Sequence, residues 1–155
     1  MSAPAAWLLV LLSTFFNVAP VGLTGNPEDG HIRWNFSSVK KSRSEWTLTF
    51  TARVDKGWHL YSQNLGDGGP MPTVFSFSGD DKFRLLGKVN EAGIAKTVYD
   101  STFMMNVTWY ENEIVFTQRV RVKSDVRVMG EINYSVCSEE RCIPGRVQFN
   151  IEVGR

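Results

Sequence analysis

Residues Glu45–Val54 alternate without a break: Trp46, Leu48, Phe50, Ala52 and Val54 are apolar, and Thr47, Thr49, Thr51 and Arg53 separate them. A period of two puts every apolar side chain on one face of an extended strand. Such a strand belongs in an antiparallel sheet with one face covered and the other wet. The pattern recurs along the chain. Ile32, Trp34 and Phe36 share a face. Residues 103–109 alternate, Tyr110-Glu111-Asn112-Glu113 is expected to turn the chain, and Ile114–Val122 alternate again. Lys82–Gly87 and Val126–Val128 are shorter candidates, and Gly130–Val136 and Arg146–Val153 close the series. No segment has a convincing helical period. About seven to nine short strands separated by turn signals predict an all-β sandwich. Two stretches break the pattern: a Gly/Pro-rich loop over 62–72, read as a crossing between sheets, and an irregular stretch over 88–100. Long loops of this kind are often functional.

Cys137 and Cys142 are the only cysteines, and Ser-Glu-Glu-Arg lies between them. Four residues between two alternating runs predict a hairpin, with the cysteines opposed across its mouth. Opposed residues have Cβ atoms roughly 4.5–5.5 Å apart, and a disulfide wants about 3.5–4.5 Å. A bridge here is therefore expected to be strained, and strained, exposed bridges are the labile kind. It also closes a short ring, which removes little denatured-state entropy. The spacing leaves a structural and a redox role both open. Two thiolates do not complete a tetrahedral zinc site, and His31 and His59 lack ligand spacing to each other, so no metal is expected. No cofactor is implied.

The 17 basic and 16 acidic residues leave a net charge of +1, which suggests neither nucleic acid nor an anionic membrane as a partner. The 10 Phe, 5 Trp and 4 Tyr fall mostly inside alternating segments and are read as core. The first 27 residues carry no charged side chain, and residues 5–16 form an apolar run of signal-peptide length. Residues 1–25 are read as a signal peptide, although Met1–Pro4 lacks Lys and Arg. An uncleaved anchor is the alternative, with a run short for a bilayer span. No cysteine closes the run, which excludes lipoprotein-type acylation there. The domain is placed at 28–155. Asn-x-Ser/Thr triplets at Asn35, Asn106 and Asn133 all fall in expected strands and are read as chance matches.

Asp55-Lys56-Gly57-Trp58-His59-Leu60-Tyr61-Ser62-Gln63, followed far downstream by Tyr134-Ser135-Val136-Cys137 and Cys142-Ile143-Pro144, resembles the amino-terminal periplasmic domain of the DsbD-type thiol:disulfide interchange proteins. The resemblance covers about residues 30–153 and extends to Gly87-Lys88 and Tyr99-Asp100. It implies an immunoglobulin-like sandwich carrying a redox disulfide, Cys137–Cys142, at a β-hairpin. It assigns the mixed disulfide with partners to Cys142 and the resolving role to Cys137. It puts His59 and Tyr61 near the sulfurs, with Pro144 beside them, and makes the stretch from Ile94 to Tyr99 a cap loop in which Ile94, Val98 and Tyr99 shield the pair. The implied partners are thioredoxin-like redox proteins. Electrons arrive from a thioredoxin-like domain fed through a membrane reductase, and leave to oxidised envelope proteins in the periplasm. A monomer is expected.

The chain departs from the best-known members of that family in four ways. Four residues separate its cysteines instead of five, Gly145 replaces a common proline, and His59 stands where a tyrosine is typical. It also ends at Arg155 without a multi-span region or a Cys-x-x-Cys, so the donor is expected on a separate polypeptide. Thiol exchange needs no obligatory base. Arg141 would favour a thiolate at Cys142, whereas Glu139 and Glu140 would oppose it. The competing reading is a secreted sandwich for binding or assembly, with a purely structural disulfide.

Overall fold

A computed structural model of the chain describes residues 30–79 and 81–154; the amino-terminal segment over 1–25 lies outside them. Eight strands follow one another: β1 (Ile32–Lys40), β2 (Glu45–Val54), β3 (His59–Tyr61), β4 (Val74–Ser78), β5 (Phe83–Asp100), β6 (Met105–Val122), β7 (Val126–Cys137) and β8 (Cys142–Val153). The described residues contain no helix. Every pairing is antiparallel.

The pairings resolve into the two layers of an immunoglobulin-like β-sandwich. β1 pairs with β2, β2 with the second half of β6, and β6 with β5. In the other layer β7 lies between β4 and β8. The short β3 joins the layers at one end, pairing with the first half of β6 and with the end of β7. The core is what the alternation calls for. Leu48, Phe50 and Ala52 of β2, Ile114, Phe116 and Val120 of β6, and Ile132, Tyr134 and Val136 of β7 are all fully buried. Aromatic contacts cross between the layers: Phe50 meets Phe149 of β8 at 4.9 Å and Phe75 of β4 at 5.2 Å, and Trp34 meets Tyr134 at 5.5 Å. Edge-to-face pairs at such distances add to the stabilisation from area burial.

Gly145 has a steric reason. It faces Tyr134 across the β7–β8 ladder, and a Cβ at that position would collide with the Tyr134 ring. Glycine here lets the buried ring lie flat against the neighbouring backbone.

Two expectations need correction. Residues 88–100 are not irregular; they form the greater part of β5. Gly87 has a left-handed φ of 74°, and the register with β6 shifts between Leu86 and Asn90 and again between Gly93 and Ala95. These bulges break the period, and most of the strand has both faces outside the core, so no apolar alternation marks it. Nor does Tyr110–Glu113 end a strand. β6 runs through it, with Asn112 at φ 65° absorbing the extra length. Three residues of β6, 111–113, oppose the single Ile94 of β5. At this point the other edge of β6 changes neighbour, from β3 at Tyr110 to β2 at Glu113. The 62–72 segment is a loop as expected, and the three Asn-x-Ser/Thr asparagines lie in β1, β6 and β7.

Phe50 touches aromatic rings of both layers and is fully buried. Phe50→Ala is expected to lower stability by about 3–5 kcal/mol. Urea unfolding followed by tryptophan fluorescence measures it. A loss under about 1 kcal/mol would show that the layers do not meet at this ring.

Candidate functional site

The β7–β8 ladder runs in unbroken register from Val126 opposite Val153 to Cys137 opposite Cys142. The four-residue turn is closed by Ser138 N–H donating to the Arg141 carbonyl at 2.8 Å, while Ser138 Oγ accepts from the Glu140 and Arg141 amides at 3.2 and 3.3 Å. A serine hydroxyl satisfying turn amides in this way is a common local device. The cysteines form a disulfide with Cα atoms 4.0 Å apart.

The two sulfurs have unequal surroundings. Cys137 is 1% exposed, whereas Cys142 is an exposed residue. Strand position explains this. β7 is an inner strand, covered at this end by β3, while β8 pairs with β7 alone. A nucleophile or oxidant in solution therefore meets the Cys142 side of the bridge first.

Beneath Cys137 lies a second, smaller core. Ile132, Tyr134 and Val136 point into the sandwich; Ser135 and Cys137 take the opposite face of β7, as the alternation requires. There Cys137 packs with Tyr61 and Val107, and Leu65, Met105 and Trp109 surround them. Ser135 Oγ is 3.8 Å from Cys137 Sγ. His59 is opposite Cys137 in the β3–β7 register. Its ring stacks on Trp109 at 4.4 Å and meets Tyr61 edge-on at 5.2 Å. Burial pushes the His59 imidazole below its ordinary range; Glu111 opposes that shift and Lys96 adds to it. The imidazole is thus held neutral, with Nε2 buried and unpartnered. Burial also raises the Tyr61 phenol, with Asp100 adding to the effect.

On the outer side of the hairpin, Gly57 turns the chain at φ 84°. Trp58 follows it, stacked on His31 at 3.8 Å, with the Arg141 guanidinium 5.6 Å above its ring. A shallow groove of about 460 Å³ runs between Trp58 and the turn Ser138–Arg141.

Of the residues named from sequence, His59 and Tyr61 do come together with Cys137. Pro144 is exposed on β8, two residues past Cys142 and opposite Ser135. Ile94, Val98 and Tyr99 lie on strand β5 and not on a loop. Val98 faces Val107 across the β5–β6 ladder, while Ile94 and Tyr99 are 87% and 65% exposed. Sequence reasoning did not single out Val107 or Trp109. Their signal was the alternation of Met105, Val107 and Trp109, read there only as strand. Among the described residues, no three His, Cys, Asp or Glu side chains gather as metal ligands.

One carboxylate ties the neighbourhood together. Glu91 of β5 accepts from Ser62 Oγ at 2.5 Å, Gln63 N–H at 3.0 Å, Asn64 Nδ2 at 2.9 Å and Tyr110 OH at 3.1 Å. It pins the start of the 62–72 loop, just after β3, to the β5–β6 ribbon.

Residues 28–152 match the family described as "Thiol:disulfide interchange protein DsbD, N-terminal". The chain belongs to this family. Among solved structures, the chain is similar to the N-terminal periplasmic domain of ScsB from Proteus mirabilis, with a TM-score of 0.61 and 18% identity. That alignment covers 86% of this chain and 50% of the ScsB chain, so the present sequence spans about half the length of that relative. The reduced DsbD N-terminal domain of Neisseria meningitidis aligns over 77% of this chain and 86% of its own, at 16% identity and a TM-score of 0.49. No curated protein sequence gives a significant match. Membership in this family places the chain with the N-terminal domains of thiol:disulfide interchange proteins, and the Cys137–Cys142 hairpin is the one place among the described residues where it carries a disulfide.

The Tyr110 phenol is pushed up to about 12 by burial, with Glu91 adding to the shift. An exposed phenol titrates at about 10. The protonated phenol therefore stabilises the fold fully below pH ~10, and this contribution is lost as pH rises toward ~12. Tyr110→Phe is expected to flatten the fall in stability across that window, measured by urea midpoints at successive pH values. An unchanged slope would remove Tyr110 from the account.

Proposed function

We propose that the chain is a periplasmic relay that takes two electrons from a reduced thioredoxin-like donor, supplied by a membrane reductase, and hands them to oxidised envelope proteins. The observation that carries this reading is the unequal exposure of the two sulfurs, one buried and one presented at the surface of the hairpin, in a chain of this family. A purely structural bridge has no need of that asymmetry.

The chemistry is two thiol–disulfide exchanges in each direction. A donor thiolate attacks Cys142 Sγ. The Cys137–Cys142 bond breaks, and Cys137 leaves as a thiolate that takes up a proton. The donor's second thiolate then attacks its own sulfur of the mixed disulfide, leaving an oxidised donor and a dithiol relay. Toward a client, the Cys142 thiolate attacks the client disulfide. Cys137 then attacks Cys142 Sγ, which releases the reduced client and restores the bridge. Two electrons move and no other cofactor takes part. Three features bear on the roles. Arg141 neighbours Cys142 and favours its thiolate, while Glu139 and Glu140 of the same turn oppose it. Ser135 Oγ lies near Cys137 Sγ and can donate to it once it is reduced. The hairpin offers no helix N-terminus, so reactivity depends on docking more than on a strongly lowered pKa.

In this reading the ribbon carrying Ile94, Val98 and Tyr99 screens the buried Cys137 side of the pair, with Val98 opposite the Val107 that packs on Cys137. Replacing the three by alanine is expected to speed alkylation of reduced Cys137 several-fold, with Cys142 labelled before Cys137 in both proteins, as peptide mass spectrometry records. Equal rates would remove the screening role.

The relay itself is tested by trapping. Cys137→Ser is expected to accumulate disulfide-linked thioredoxin-like proteins in the periplasm, and Cys142→Ser is not. The reverse pattern would exchange the two roles. A reduction potential below about −300 mV, in the structural range, together with no trapped partner from either variant, would overturn the proposal in favour of a structural bridge.

A further inference from the structure

The net charge of +1 conceals an asymmetry along the strand axis. At the end opposite the disulfide, Lys40, Lys41 and Arg43 crowd the β1–β2 turn, Lys82 and Arg84 open β5, and Lys123 follows β6, all of them exposed. The backbone draws these segments together: Val122 N–H donates to the Ser44 carbonyl and Lys123 N–H to the Lys82 carbonyl, both at 2.8 Å. Arg119 and Arg121 add two further cations that share the single carboxylate of Glu45. Lys123 faces Asp81 at 3.7 Å, with both side chains largely in water, and Arg127 is paired with Glu152. The basic residues of this end outnumber its acidic ones. The remaining described residues lean the other way, with Glu139 and Glu140 at the hairpin tip itself.

The same end carries apolar surface. Val39, Leu85 and Met129 are exposed on strands of both layers. Lys40 Nζ lies 5.7 Å over the Trp46 ring. A groove of about 950 Å³ opens between the layers here, lined by Lys40, Trp46, Lys82 and Arg127, with the carboxylates of Asp125 and Glu152 among its other lining residues. Cations on long stems around aliphatic and indole surface suit a lipid headgroup region: the stems lie along the apolar part and the charges reach the phosphates. A small free anion would call for converging buried donors, and these cations instead stand apart on an exposed face.

We propose that this basic pole docks on an anionic phospholipid surface and holds the disulfide pole outward. β7 spans the two poles with 12 residues, about 35 Å at the rise of a strand. Docked in this way, Cys142 stands clear of the headgroups and open to soluble partners. The proposal goes beyond the relay reading and does not depend on it, because lipid binding needs neither sulfur.

The test is sedimentation of the full oxidised chain with vesicles of equal parts phosphatidylglycerol and phosphatidylcholine, against phosphatidylcholine alone. The first 27 residues carry no charged side chain, so their contribution is common to both vesicles and drops out of the comparison. Each basic side chain at an anionic surface is worth about a fivefold change in partition. The wild type is expected to prefer anionic vesicles by at least tenfold and to lose that preference in high salt. Lys40→Gln, Lys41→Gln, Arg43→Gln and Lys82→Gln combined should abolish it. Removing equal charge elsewhere, through Arg53→Gln, Lys56→Gln, Lys88→Gln and Arg146→Gln, should leave most of it. If the quadruple variant misfolds, the pairs Lys40→Gln/Lys41→Gln and Lys82→Gln/Arg84→Gln are each expected to reduce the preference. Equal binding to both vesicles would overturn the proposal, as would equal loss in the two charge-removal variants. So would a pole that serves only self-association or nucleic acid, seen as salt-sensitive dimers or DNA binding without lipid preference.

Discussion

Three residues hold the two layers together at the disulfide end. β3 is only His59–Tyr61, yet its backbone pairs with β6 on one side and β7 on the other. A strand buried in this way must have its backbone groups met on both edges. That requirement continues past the strand's end: Ser62 N–H reaches the Thr108 carbonyl, Thr73 N–H reaches the Ser62 carbonyl, and Thr73 Oγ1 donates to the Tyr61 carbonyl at 2.6 Å. The ladder from β6 through β3 to β7 sets the position of His59 relative to Cys137. It also covers the flank of β7 that buries Cys137. The asymmetry of the disulfide is a consequence of sheet order, and no dedicated lid is needed to produce it.

The second apolar cluster follows from the same arrangement. Through most of its length β7 buries one face. From Tyr134 to Cys137 it buries both, because Tyr61 of the adjoining β3 and Val107 of β6 share the second face with Cys137, and Leu65, Met105 and Trp109 pack against them. An interior of this size, shut off from the main core, leaves a neutral imidazole and a raised phenol beside a sulfur. Both groups keep their uncharged forms near neutral pH. Cys137 therefore lies buried among uncharged groups, while Cys142 is exposed.

Much of this was legible in the residues. The β2 alternation, the aromatic core and the opposed cysteines each rest on a local rule, period two or turn length, that needs no distant partner. The second cluster was not legible in the same way. Val107 and Trp109 alternate as well as any core residues, but nothing local says that their face meets a different core from that of Phe116 on the same strand. The stretch from Lys88 to Asp100 failed for a related reason. An exposed ribbon has no apolar face to display, and its bulges at Gly87 and Gly93 interrupt whatever period remains. The identity of Glu91 as an anchor was equally hidden, since its four donors come from the 62–64 segment and from Tyr110.

The three-against-one mismatch between residues 111–113 and Ile94 has a further consequence. The surplus on β6 is even, so the phase of the strand survives it: Tyr110 and Ile114 face the main core alike, while Met105, Val107 and Trp109 keep the opposite face. Insertion or loss of a single residue there would reverse the phase of everything upstream, sending Val107 to the wrong side of the sheet and emptying the floor beneath Cys137. In this fold, a change of two residues within that short segment keeps the phase, whereas a change of one has to be absorbed by a further bulge.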